Sequence, residues 1–205
     1  MTGAGLFWLG PLLPLVAFGV LALWPGLRGR WLPAGLACVA VAGSLVLSVL
    51  GLLGVVLAQA RREWAVPFLE TGGYRLQWAV ELGPQTAVLS ALVSAVCLLV
   101  FVYTAFQLAE EPRLRRFYAL LSLFAASMLG LVVAADVVTL FIAWELVGVC
   151  SYLLIGFWHE HEGAPAASSS AFLVTRLGDL ALLAGVLLLV LEAGTGRLES
   201  LLALI

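Results

Sequence analysis

The chain contains no lysine; all ten of its basic residues are arginines. It therefore lacks the one cationic side chain whose proton affinity falls readily on burial, and any cation placed in an apolar setting is a permanently charged guanidinium. Charge of both signs is scarce, at 11% of 205 residues, and the formal net charge of −2 argues against nucleic acid as a partner. The three cysteines, Cys38, Cys97 and Cys150, lie far apart in apolar runs with no CxxC pair, so they read as structural thiols. Neither an iron–sulfur centre nor a metal site is expected from this chain alone. The glycines are scattered through apolar stretches without the strand–turn–helix context of a nucleotide loop. Ions, rather than electrons or nucleotides, are what such a chain handles.

Apolar sequence is what abounds: 63% of residues are hydrophobic and the mean hydropathy is +1.13. A bilayer core about 30 Å thick needs roughly 20 apolar helical residues per crossing. About six stretches qualify: 6–25, 33–58, 84–108, 114–135, 137–158 and 168–191. Residues 1–5 carry no Arg or Lys, which separates the first run from a secretory signal. The expected fold is an all-α polytopic membrane protein with one extramembrane hairpin-like loop. Residues 1–58 hold the first two helices, 59–83 the loop, and 84–205 the remaining four. The loop, WAVPFLETGGYRLQWAVEL, reads as two extended segments joined around Gly72-Gly73. Trp64, Tyr74 and Trp78 are placed to settle at lipid headgroups. Arg28, Arg30, Arg113, Arg115 and Arg116 fall on one side and Arg61, Arg62, Arg75 and Arg197 on the other, so the positive-inside rule puts the N-terminus and the hairpin outside.

Glu145 sits inside the apolar run FIAWELVGVCSYLLIGF, roughly 13 Å along a helix that begins near Asp136, and so close to the bilayer midplane. Gly148 and Tyr152 follow at i+3 and i+7; the glycine admits a neighbouring helix, and the tyrosine hydroxyl or water can solvate the carboxylate. In LVTRLGDLALL, Arg176 and Asp179 share a face three residues apart. Two readings are open: the pair neutralises itself within its helix, or Arg176 is the cation whose distance sets the charge of Glu145. Asp136 reads as a helix N-cap at the surface. His159-Glu160-His161-Glu162 has metal-ligand residue types, yet on a short connection it reads as a polar loop.

The run FYALLSLFAASMLGLVVAADVVTLFIAWELVGVCSYLLIGFW, followed by AFLVTRLGD, resembles subunit L (chain 5) of respiratory NADH-quinone oxidoreductase, complex I, and the large subunits of Mrp-type antiporters. ETGGYRLQW and EAGTGRLESL are similar to further segments of that family, so the likeness spans almost the whole chain. The resemblance implies a proton-translocating subunit of the cell inner (plasma) membrane, with residues 84–205 beginning its proton-channel half. It implies that Glu145 is the proton-channel glutamate, that Arg176 and Asp179 complete the relay, and that Asp136 and Tyr152 are accessory. It further implies no cofactor in this chain, with NADH, FMN, iron–sulfur clusters and quinone served by other subunits, and other membrane subunits as partners. The family's relay lysine lies on a seventh helix, beyond residue 205, so the chain is expected to be an N-terminal portion that needs its C-terminal half. Two departures mark a divergent branch: Gly83 replaces an acidic residue, with Glu81 as a substitute, and Ser168, Ser169 and Ser170 stand where a basic residue is common. The alternatives are an Mrp-type sodium/proton antiporter or bicarbonate-uptake subunit, and a non-transporting structural fragment.

Overall fold

The computed structural model describes residues 6–24, 26, 31–58, 61–71 and 74–202, with side chains throughout except at 58, 68–71 and 74–76. The helices are α1 (Leu9–Leu23), α2 (Trp31–Ala58), α3 (Pro84–Gln107), α4 (Leu114–Val133), α5 (Val137–Ile155), α6 (Ala164–Ala193) and α7 (Leu198–Leu202); strands β1 (Arg62–Thr71) and β2 (Tyr74–Leu82) lie between α2 and α3. Helices α2 to α6 are long and apolar enough to cross a membrane. The first of the six expected spans is shorter: α1 has 15 residues, about 22 Å at 1.5 Å per residue.

Pro14, inside α1, has no N–H to donate to the Gly10 carbonyl four residues back. Ser44 of α2 supplies the missing bond, its hydroxyl donating to Gly10 O at 2.6 Å. A freed carbonyl in an apolar setting thereby becomes a tie between two helices. At the other end of α1, Arg115 of α4 donates to the carbonyl oxygen of Leu21 at 2.7 Å, which places a cation on the negative pole of that helix. Between these ties the largest core cluster joins α1 to α4 around Tyr118, which is fully buried. The Tyr118 hydroxyl donates to Phe101 O at 3.0 Å, so the ring is buried without stranding its polar atom.

β1 and β2 form an antiparallel pair, in register from Arg62 with Leu82 to Thr71 with Tyr74, irregular between Pro67 and Leu69. The expected Gly72-Gly73 turn, the Tyr74 and Arg75 side chains, and Arg28 and Arg30 lie outside what is described. Pro84 opens α3, while the Thr86 hydroxyl accepts from the Gly83 N–H at 2.7 Å. Residues 134–136, between α4 and α5, are pinned on both edges. The Ala135 N–H donates to Ala79 O at 2.9 Å, Val137 N–H to Gly196 O at 2.9 Å, and Leu198 N–H to Ala135 O at 3.1 Å. The hairpin, the start of α5 and the segment before α7 are therefore stitched together at one end of the bundle. At the opposite end, Arg113 holds Glu160 at 2.5 Å and Glu111 at 3.3 Å, closing the α3–α4 connection onto the His159 loop.

Candidate functional site

The α5 stripe Trp144, Glu145, Gly148, Ser151, Tyr152 and Ile155 has the i, i+1, i+4, i+7, i+8, i+11 spacing of one helix face. All of it except Glu145 lines a cleft of about 880 Å³ against α6, where Phe172, Thr175, Arg176 and Asp179 form the other wall. Glu145 and Arg176 form a direct ion pair between the two helices. Arg176 Nη2 also lies 3.0 Å from Asp179 Oδ2, but without hydrogen-bond geometry. The hydrogen bond to Asp179 comes from elsewhere: Trp144 Nε1 donates to its Oδ1 at 2.7 Å. The Arg176 guanidinium lies 4.9 Å from the Phe172 ring centroid. With Asp179 partly satisfied by an indole, the arginine leans toward Glu145. Arg176 thus lies beside both carboxylates, and the ion pair with Glu145 is the one that crosses helices.

Gly148 makes this approach geometrically feasible. A Cβ there would collide with Arg176 Nη2, so any other residue displaces the guanidinium or the helix. The Tyr152 ring packs on Phe172, with centroids 5.0 Å apart, and among the described residues no hydrogen bond joins it to Glu145. The phenol is drawn to an aromatic partner one helix away, leaving Arg176 to satisfy the carboxylate.

Asp136 is an N-cap, as expected: its Oδ1 accepts from Val138 N–H at 2.8 Å. It is not at the surface, however; it is fully buried, because Gly196 and Arg197 fold back over it in a bridge from sixty residues downstream. Arg197 in turn pairs with Glu63 of β1. Burial pushes the Asp136 carboxyl up to about 6, against the lowering by the Val138 N–H and by Arg197. An acid raised above its ordinary value penalises its charged form. Its favourable contribution is therefore complete below about 3.8 and is lost as pH rises through about 6. Amide exchange at Val137 and Leu198 should accordingly speed up relative to Asp136→Asn across that interval, since asparagine caps as well and does not titrate. Parallel profiles for the two proteins would refute the assignment.

Trp144 and Phe172 are the members of the cluster that the sequence reading missed. The signal was available for Trp144, which shares the stripe of Gly148, and for Phe172, four residues before Arg176 on the same face. Trp144→Phe removes the indole donor while keeping the ring. A hydrogen bond to a charged group contributes about 1.5–3 kcal/mol, so turnover in the assembled protein should fall by about ten-fold or more and the thermal midpoint by several degrees. Unaltered turnover would mean that the bond does not position Asp179.

Charged side chains meeting at depth between two apolar helices define this chain as a polytopic α-helical membrane protein with an intramembrane ion-pair cluster. Residues 134–205, which contain the whole cluster, match the transmembrane family described as NADH:quinone oxidoreductase/Mrp antiporter. The chain as a whole is similar to proteins named NAD(P)H-quinone oxidoreductase chain 5. It is 38% identical over 190 residues to NAD(P)H-quinone oxidoreductase chain 5 of Synechocystis sp., covering 89% of this chain and 28% of that protein. It is 39% identical over 182 residues to F(420)H(2) dehydrogenase subunit L of Methanosarcina mazei, covering 87% and 26% respectively. Among solved structures it is similar to a chain of the Mrp complex from Dietzia sp. DQ12-45-1b, at 31% identity and a TM-score of 0.73, over 93% of this chain and 20% of that one. The chain thus spans under a third of the length of these relatives.

Proposed function

We propose that this chain forms part of a proton-translocating membrane subunit of the NADH-quinone oxidoreductase chain 5 kind, with Glu145 as the proton-carrying group. The observation that carries the reading is the placement of Arg176 between two carboxylates on different helices. A guanidinium shared in this way has two competing positions, and the charge state of Glu145 follows from which one it occupies. Protonating Glu145 weakens its hold on Arg176 and releases the arginine toward Asp179; deprotonation draws it back. Asp179, held by Trp144, is the fixed pole of this exchange, and Asp136 and Tyr152 are accessory. Among the described residues no group of three His, Cys, Asp or Glu side chains comes together. In this reading NADH, FMN, iron–sulfur clusters and quinone are served by other chains of the assembly. A cationic partner for the second half of the relay belongs to the remainder of the subunit.

The assembly sits in the plasma membrane with the hairpin outside. Membrane vesicles holding the full assembly test this: substrate oxidation should build a pH gradient that does not require sodium. A second reading, an Mrp-type antiporter subunit, is favoured by the 31% identity to the Dietzia complex. It predicts a gradient that is collapsed by added sodium and indifferent to quinone inhibitors. A preparation with neither behaviour would sink both readings.

A further inference from the structure

A second cleft, of about 470 Å³, lies between α1, α4, α5 and the inner face of the hairpin, away from the ion-pair cluster. Its wall offers almost no polar partner. The Ser127 hydroxyl is spent on Leu123 O at 2.8 Å, and the Thr139 hydroxyl accepts from Ala79 N–H at 3.1 Å. Water has nothing to hold there, and an apolar occupant does.

The depth of the cleft identifies the occupant. On α4 its lining runs from Val133, at the hairpin end, to Leu123, which is about 15 Å at 1.5 Å per residue. On α5 it reaches Leu146, roughly 13–14 Å from the start of that helix, and on α1 Leu15, roughly 9 Å from its start. The α4 run is half of a hydrocarbon core about 30 Å thick, one leaflet. A partner's spanning helix would need a groove running the full thickness, whereas this one stops midway and is roofed by the hairpin. Leu12 and Leu15 line the cleft and are exposed, so its flank opens sideways into the bilayer. An acyl chain of one leaflet fits each of these constraints.

The mouth supplies the headgroup contacts. Trp8, Trp64 and Trp78 stand there, at the depth where indoles favour the interface. Arg62 is two residues from Trp64 on β1 and so points to the same face, about 6.7 Å along the strand. It is exposed and enters no ion pair among the described residues. The nearby carboxylates belong to the other face: Glu63 is paired with Arg197, and Glu81 is the cross-strand partner of Glu63. An unengaged cation beside a leaflet-deep apolar slot matches a phosphate carrying negative charge that the rest of the headgroup does not cancel.

We infer that this cleft binds one anionic phospholipid, with an acyl chain between α1, α4 and α5 and its phosphate at Arg62. The test uses the full assembly in native-lipid nanodiscs, photolabelled with acyl-diazirine phosphatidylglycerol or its phosphatidylcholine counterpart and mapped by peptide mass spectrometry. Phosphatidylglycerol should label the Leu12 to Leu15 and Leu123 to Val133 peptides about five-fold more than phosphatidylcholine, as expected for about 1 kcal/mol per arginine near the surface. Arg62→Gln should erase that preference. Leu12→Trp, which fills the slot from its exposed flank, should abolish labelling by both lipids. Equal labelling by the two lipids overturns the anionic assignment, and labelling untouched by Leu12→Trp overturns the site. A partner subunit's peptide crosslinking to these positions in place of lipid overturns the occupant. The readout is independent of transport, so it stands or falls separately from the proton-relay reading.

Discussion

Arg176→Met is expected to destabilise the protein by about 3–5 kcal/mol, the range for removing one member of a buried charge pair. Methionine occupies much of the same volume and suits an apolar helix, so the loss is not one of packing. It arises because two carboxylates, Glu145 and Asp179, are left between α5 and α6 with no cation. Only the Trp144 indole still reaches one of them. Replacing all three charges together, as Arg176→Met with Glu145→Gln and Asp179→Asn, should recover most of the stability, because a cluster without charge has nothing left uncompensated. The measurement is the thermal midpoint in detergent for the single and triple variants. A single variant as stable as the parent would show that the ion pairs do not persist in the folded protein. A triple variant no better than the single would place the cost in packing, through the stacking of Arg176 on Phe172.

The features legible in the sequence are those set by residues near one another along the chain. The spans follow from run length, the hairpin from aromatic and β-branched residues around a glycine pair, and the cap from Asp136 preceding Val137. The Arg176–Asp179 proximity follows from a spacing of three. Where distant segments meet, local pattern is silent. The burial of Asp136 depends on Gly196 folding over it, and nothing near residue 136 announces that. Ser44 repairing the carbonyl freed by Pro14 is of the same kind: the proline marks a gap, but the donor lies thirty residues on in another helix. Tyr152 shows the converse. It shares the face of Glu145, as its spacing requires, yet a neighbour on α6 captures it. Periodicity gives the stripe; it does not give the partner.

Glu145→Gln is expected to lower proton translocation by the assembly on the order of 10²-fold or more, the usual contribution of a positioned proton-transfer group. Glutamine keeps the length and a carbonyl oxygen for the Arg176 guanidinium, so the fold should hold, and a thermal midpoint near that of the parent is part of the prediction. What it loses is the second charge state. Arg176 would then have only one anionic neighbour, Asp179, and no reason to alternate. Glu145→Asp separates charge from reach: it still ionises, but its shorter side chain sits farther from Arg176 across the gap that Gly148 leaves open. It should therefore transport at an intermediate rate, while Gln does not transport appreciably. Glu145→Gln vesicles that build the parent's pH gradient would remove Glu145 from the relay and leave the cluster as a tie between α5 and α6. Loss of transport in both variants, with both still folded, would mean that position as well as charge is required. Gly148→Ala should then reproduce the defect without altering a single charge, because its methyl group occupies the place that Arg176 must take to reach Glu145.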